Sequence, residues 1–409
     1  VSERVGAFGG RCTLVGVDVD RRAADDAGRS LPDARILLAD ALGRDWRRER
    51  FDLVVGNPPF LSQMATATTR GGSSDLGGGP YADAAAEFLA LAARLVESGR
   101  GRVALVLPQS ILSARDAGDV RAEYDRRAEM IWSWWTDERL FDANVFTCAL
   151  AFEFGHGGRA TPRASWSGVV TRRQRIPELP DALETAGTLG DRARLNANFR
   201  DEYYGMIPAV GDHAGGPPLV TSGLIDPGIN RWGSTAVTFA RRRFTAPRVD
   251  VGALDERMQR WARDRLIPKV LVANQTRIVE AVCDPTGEWL PAVPVVAAYP
   301  DDGDAATAWE IAALLTSPVA SAWAWARSGG TGLSASAIRL GPVMLAALPW
   351  PTGPLHSAVA SLQAGDVRGC GSAVTDAFGL GDRVDLVDWW RDALDRIDTR
   401  RTRIAAASR

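Results

Sequence analysis

Lysine is all but absent from this chain: Lys269 is the only one, and the other 47 of its 48 basic side chains are arginines. Fifty acidic residues bring the net charge to −2. That excludes nucleic-acid binding by bulk charge and leaves any phosphate contact to local patches. The four cysteines, Cys12, Cys148, Cys283 and Cys370, have no ligand-like spacing, which excludes a disulfide framework. The first three sit in apolar stretches and are expected as reduced core residues, whereas Cys370 lies between glycines. Three histidines, His156, His213 and His356, are scattered over expected loops, so no metal site is expected. No segment approaches the roughly 18 uninterrupted apolar residues of a membrane span, and the polar start is unlike a signal peptide. The expectation is a cytoplasmic protein with no membrane partner.

What is present is enough apolar material, 46% of 409 residues, for two cores. The apolar runs Thr13–Asp20, Arg35–Asp40 and Phe51–Gly56 alternate with helical or turn segments. This is the rhythm of a doubly wound parallel sheet, in which ligands sit at the carboxyl ends of strands. Asp18 and Asp40 occupy such ends, where a carboxylate suits a ribose diol or an adenine amine.

The third run ends in Asn57-Pro58-Pro59-Phe60. A planar amine such as adenine N6 is a poor nucleophile because its lone pair is delocalised into the ring. The Asn57 side-chain oxygen and the Pro58 carbonyl can each accept one of its N–H bonds, which favours a pyramidal nitrogen. The two prolines stiffen the turn, and Phe60 offers a ring on which an extruded base can stack. The competing reading of Asn-Pro-Pro is an ordinary strand-ending turn.

At these residues the chain resembles the N6-adenine DNA methyltransferases, in particular the type whose catalytic domain precedes a DNA-recognition domain in one polypeptide. The resemblance implies S-adenosylmethionine as cofactor, with Asp18 on its ribose and Asp40 on its adenine. It implies target-adenine binding by Asn57, Pro58 and Phe60, with Phe141 as the second stacking ring and Phe146 as its alternative. Asp83 and Phe88 match the start of a further family helix, and Gly101–Pro108 a further strand. The family's first motif, an Asp-Pro-x-x-Gly-x-Gly loop closing a central strand, has no counterpart. Val1–Phe8 resembles the tail of the helix after it, and Val1 is expected to reflect either a late start or a gene remnant. The sheet is therefore expected to be interrupted between the strands of Thr13–Val17 and Phe51–Val55.

Downstream, Ile267–Val279 reads as a strand, a polar turn and a second strand, Trp289–Ala298 as a continuation of that sheet, and Trp309–Trp325 as one amphipathic helix. With Gly329–Gly332, Ser336–Leu340 and Leu348–Pro351, this order resembles the target-recognition domain of single-chain restriction–modification methyltransferases. Val384, Leu386, Trp389, Leu394 and Ile397 fall on helical spacing in the tail. Between residues 240 and 270 nine basic residues face four acidic ones. Arg241, Arg242, Arg243 and Lys269 are the expected DNA contacts, and Arg172, Arg173 and Arg175 form a second cluster; the competing reading of such arginine runs is a solvated face. Residues 70–80, rich in Gly and Ser, have the composition of a mobile loop, expected as an active-site lid. Tyr203, Tyr204 and Trp232 are expected as buried aromatics in an interdomain seam.

The fold expected is thus α/β: a Rossmann-like S-adenosylmethionine-dependent methyltransferase sheet, truncated at its N-terminus, plus a C-terminal α+β target-recognition domain. The expected divisions are a catalytic domain over 1–158, a connector over 159–244, a recognition domain over 245–352 and a helical tail over 353–409. The expected activity is methylation of adenine N6 in double-stranded DNA within a restriction–modification or defence system, with a restriction subunit as a possible partner. The alternatives are an inactive or partner-completed DNA-binding fragment, or a methyltransferase acting on an RNA base or a protein glutamine amide.

Overall fold

The computed structural model describes residues 7–407 apart from 8, 48, 61–75, 80–82, 139, 142–144, 156–165, 181, 199, 213–214, 333 and 335. Two compact units emerge, one from Val1–Leu107, Arg115–Ser133 and Ala149–Thr161, the other from Pro108–Ala114, Trp134–Cys148 and Pro162–Arg409.

In the first unit, β1 (Val15–Asp18) pairs in parallel with β2 (Arg35–Leu38), Asp18 opposite Leu38. Asp20 begins the first crossover by capping α1 (Arg21–Ser30), its carboxylate accepting from the N–H groups of Arg22 at 2.7 Å and Ala23 at 3.0 Å. The next strand, β3 (Leu53–Gly56), pairs in parallel with β4 (Arg102–Pro108). Between them runs α2 (Ala84–Leu95), capped by Asp83 and apolar on nearly every side, as a helix covered all round must be. Gly101, at the start of β4, has no room for a side chain, because a Cβ there would lie 2.4 Å from Val96 Cγ2.

After β4 the chain passes through α3 (Gly118–Arg127), β5 (Ala128–Trp135) and β6 (Thr147–Phe154). The strand order is β3-β4-β6-β5, so the last strand in sequence inserts between its two predecessors. Bonds from Phe154 N to Gly101 O (2.8 Å) and from Gln109 N to Phe146 O (2.9 Å) run in opposite senses, making β6 antiparallel to β4. Tyr124 of α3 fastens this layer: its hydroxyl donates to Leu89 O at 2.9 Å, and its ring meets Phe152 and Phe154 edge-on. The β1–β2 pair and the β3-β4-β6-β5 sheet are separate. Among the described residues β1 bonds only to β2, and β3 only to β4 among the strands. The expected helix over about 114–128 is shorter, because Gln109–Leu112 and Arg115–Ala117 wind as 3₁₀ turns first.

The second unit is built on an antiparallel sheet whose strands include β7 (Ala193–Ala197). The hairpin β8 (Val237–Phe239) and β9 (Arg242–Phe244) and the helix α4 (Glu256–Arg263) follow in the same unit. The sheet is completed by β10 (Lys269–Val272), β11 (Ala281–Asp284) and β12 (Val296–Pro300), in the order β11-β10-β12-β7. Residues 159–244 are therefore more than a connector. They supply β7, and Thr185–Thr188 pairs with Pro349–Pro351. Such short pieces carry no readable periodicity, and their pairing partners lie far away in sequence. Likewise the partner of β10 is β11, later than the expected 277–279, while Gln275–Thr276 bonds to Ile338–Arg339. Trp289–Ala298 divides between Leu290–Pro291, which pairs with Leu219–Val220, and β12.

The single helix expected over 309–325 is two, α5 (Ala305–Leu315) and α6 (Pro318–Ser328). Pro318 cannot continue a helix but suits the first turn of a new one, and Ser317 caps it by accepting from Ala320 N at 3.1 Å. The tail helix α7 (Val384–Ala407) buries Leu386, Trp390, Leu394 and Ile397 while Val384 is exposed and Trp389 only half-buried, a shift of one position from part of the expected stripe. Tyr203 and Trp232 are half-buried against the second unit's own clusters, and Tyr204 is exposed. Cys12 is exposed, against the expected core setting, whereas Cys370 is buried, and burial pushes its thiol up to about 12. No described helix is long and apolar enough to cross a membrane.

Candidate active site

The run Asn57-Pro58-Pro59-Phe60 leaves β3 at its carboxyl end, immediately after Gly56. Pro58 is buried, which anchors the turn, whereas Asn57 and Pro59 are exposed and Phe60 is half-buried. Among the described residues no hydrogen bond engages the Asn57 side chain, so both its carbonyl and its amino group face outward uncommitted. Two prolines remove the backbone donors on either side of the turn and hold the Pro58 carbonyl where β3 aims it. Gly56 lies opposite Leu105 across the strand pair, and a Cβ on it would come within 3.3 Å of the Leu105 side chain.

Asp18 and Asp40 lie at the same, carboxyl, end of the β1–β2 pair. The bond from Ala39 N to Asp18 O (3.0 Å) continues the β1–β2 ladder past its last paired residues, so the two carboxylates leave the same end. Asp18 Oδ1 accepts from Asp20 N at 2.8 Å and Asp40 Oδ1 from Leu42 N at 3.0 Å. Each side chain is thereby held by its own turn while its Oδ2 has no protein donor among the described residues. Both are exposed acceptors, the type of group that a ribose hydroxyl or an exocyclic amine requires.

Phe141 is exposed and Phe146 half-buried; both belong to the second unit, whereas Asn57 and Phe60 belong to the first. The lid expectation over 70–80 falls mostly on residues 70–75 and 80, outside the described residues. Of that stretch, Gly79 donates its N–H to Asp116 O at 2.8 Å. Asp83 caps α2, and burial raises its carboxyl above the usual range.

Of the four expected DNA contacts, three share one feature. Ala240 and Arg241 both have positive φ, +49° and +63°, and form the two-residue turn of the β8–β9 hairpin. Arg241, Arg242 and Arg243 are exposed on it. Lys269 is a correction. It is fully buried on β10, its ammonium paired with the equally buried Asp284, and it cannot reach a phosphate. Arg172 and Arg173, at the end of the short helix Gly168–Arg173, and Arg175 just beyond it are exposed. Among the described residues no cluster of three His, Cys, Asp or Glu could hold a metal.

Sequence reading passed over a third arginine group. Arg194, Arg263 and Arg265 line a cavity of about 470 Å³ in the second unit. Two of them lie within the basic stretch over 240–270, but Arg194 is distant in sequence, so only pairing in the sheet could associate it with them.

No family model matches the chain, and no curated protein matches its sequence. Solved structures do. A modification subunit of a putative type I restriction enzyme from Vibrio vulnificus YJ016 is 18% identical, covering 34% of this chain and 32% of that one, with a TM-score of 0.30. A putative class I S-adenosylmethionine-dependent methyltransferase from Listeria monocytogenes is 16% identical over 40% of this chain and 51% of its own, with a TM-score of 0.32. A type I restriction–modification methyltransferase subunit from Streptococcus thermophilus is 17% identical over 35% and 34%, with a TM-score of 0.30. The chain thus spans between about a third and a half of the length of these three.

Proposed function

We propose that this protein is an S-adenosylmethionine-dependent methyltransferase acting on the N6 amino group of adenine in double-stranded DNA, its second unit carrying DNA recognition. The observation that carries the reading is the uncommitted amide of Asn57 in a proline-stiffened turn at the carboxyl end of a parallel strand. Asp18 and Asp40, at the end of the other parallel pair, support it as acceptors for the cofactor's ribose and adenine. When bound, S-adenosylmethionine supplies an electrophilic methyl group.

The protein's own residues prepare the amine. Asn57 Oδ1 and the Pro58 carbonyl each accept an N6 hydrogen bond, which disfavours the planar, delocalised amine and frees its lone pair. Phe60 stacks on the extruded base and excludes water from its face. Transfer leaves the amine with one proton in excess, which is released to water. Orientation and desolvation supply most of the acceleration. A restriction subunit is a proposed partner.

The test is methyl transfer from tritiated S-adenosylmethionine to duplex DNA. Asn57→Ala is expected to lower the rate by about 10²–10³ while leaving cofactor affinity within twofold of wild type (a ratio of about 2, under half a kcal/mol). Near-normal turnover in this variant defeats the assignment. A non-catalytic DNA-binding role is the second reading, favoured by the separation of β1–β2 from the β3-β4-β6-β5 sheet. Calorimetry with S-adenosylmethionine decides between them, since only the catalytic reading requires binding.

A further inference from the structure

The cavity lined by Arg194, Asn196, Arg263, Asp264, Arg265 and Tyr299 lies between the edge strand β7 and the C-terminal end of α4. Alternation along β7 puts Arg194 and Asn196 on one face, and the ladder sets Arg194 directly opposite Tyr299 on β12. Three arginines and one acidic residue, Asp264, therefore line the same cavity of about 470 Å³.

Among the described residues none of the three arginines forms an ion pair. Arg194 lies over the Tyr299 ring, 5.4 Å from its centroid, and Arg265 over the Trp261 ring at 4.7 Å. Arg265 also donates Nη1 to Trp261 O at 3.2 Å and Nε to Asn198 Oδ1 at 3.4 Å, leaving Nη2 without an acceptor among the described residues. Asn198 is itself fixed by donating to Pro291 O at 2.8 Å. Arg265 is thus pre-positioned by a ring face and two acceptors, and it also covers a carbonyl at the negative end of α4. Arg263 is exposed and engages no described acceptor. Burial above all, and the like charge of Arg194 to a smaller extent, lower the Arg265 guanidinium's proton affinity, while Tyr299, Glu202 and Asp264 act to raise it. Three arginines beside the carboxylates of Asp264 and Glu202, ion-paired to neither among the described residues, are further stabilised by an anion, and planar forks match a phosphate in particular.

We propose that this pocket binds a phosphate group, and that its source is a backbone phosphate of duplex DNA. The second part rests on the DNA reading above; the first does not. Such a contact positions the duplex without reading its sequence.

Two titrations of the full chain test the proposal: inorganic phosphate by calorimetry, and a duplex oligonucleotide by fluorescence anisotropy over a salt series. In Arg194→Gln/Arg263→Gln, both substitutions at exposed positions, phosphate affinity is expected to fall at least about tenfold. The slope of log K against log salt for the duplex is expected to become shallower by about 1, the value for one neutralised phosphate fewer. Arg194→Lys keeps the charge and should retain most of the slope. Loss of phosphate binding with unchanged duplex binding upholds the phosphate site and overturns DNA as its source. Failure of the wild type to bind duplex counts against the DNA reading, while the phosphate arm still decides the pocket. Unchanged phosphate affinity and unchanged slope in a double variant of wild-type circular dichroism overturn the proposal.

Discussion

Lys269 Nζ lies 2.5 Å from Asp284 Oδ2, the two residues directly opposite on β10 and β11 and both fully shielded from solvent. The chain's single lysine therefore serves its interior. Asp284 is supported further by the N–H groups of Glu288 at 3.1 Å and Trp289 at 2.9 Å, and Lys269 also donates to Ile267 O. Burial lowers the proton affinity of Lys269, and Asp284 restores part of it.

Removing one member of this pair leaves the other charge buried and alone. Lys269→Ala is expected to lower unfolding free energy by about 3–5 kcal/mol in a urea titration. Lys269→Met/Asp284→Asn should recover much of that loss. Unchanged stability in Lys269→Ala would show that the pair contributes nothing.

Glu280 gives a pH dependence of definite sign. It is 5% exposed, and burial pushes its carboxyl from the ordinary 4.5 up to about 8, opposed by Arg400 and Arg401 and assisted by Asp226. The folded state then holds a proton that the unfolded state has released. Its contribution is fully present below about pH 4.5 and is lost as pH rises towards about 8. Thermal midpoints of the wild type relative to Glu280→Gln should fall across that window, and parallel curves would refute the assignment.

Asp18→Ala and Asp40→Ala should each weaken S-adenosylmethionine binding by about tenfold or more, the scale of one charged hydrogen bond. The single-turnover rate at saturating cofactor should change little. A loss confined to that rate would place these carboxylates elsewhere in the mechanism.

Neutralising the β8–β9 hairpin should weaken duplex binding equally for all sequences. Arg241→Gln/Arg242→Gln/Arg243→Gln is expected to reduce the salt slope by about 1 for each phosphate that the hairpin had neutralised. Altered sequence preference with an unchanged slope would instead assign the hairpin to base contacts.

Much of the first unit was legible because its elements are locally encoded. Apolar runs ending in Asp18, Asp40 and Asn57 are strands whose identity depends on their own residues, and Asp20 and Asp83 cap the helices that follow. Asn57 is exposed beyond β3, Asp18 ends β1, and Asp40 lies two residues past β2. The second unit was harder because its strands are short and pair across long sequence distances: β7 meets β12 about a hundred residues later. Pro318 marked the break between α5 and α6 in the sequence itself, yet the apolar content on both sides concealed it.

The sequence by itself determined the chemistry available: one lysine, many arginines, an amide between a glycine and two prolines, and carboxylates at strand ends. Only tertiary structure decided which of those groups face solvent. It buried Lys269 against Asp284, which a basic stretch over 240–270 had grouped with surface arginines, and it brought Arg194 beside Arg263 and Arg265. The physical reason is that burial and charge proximity depend on strand register, and register is set by contacts between segments that no local window contains.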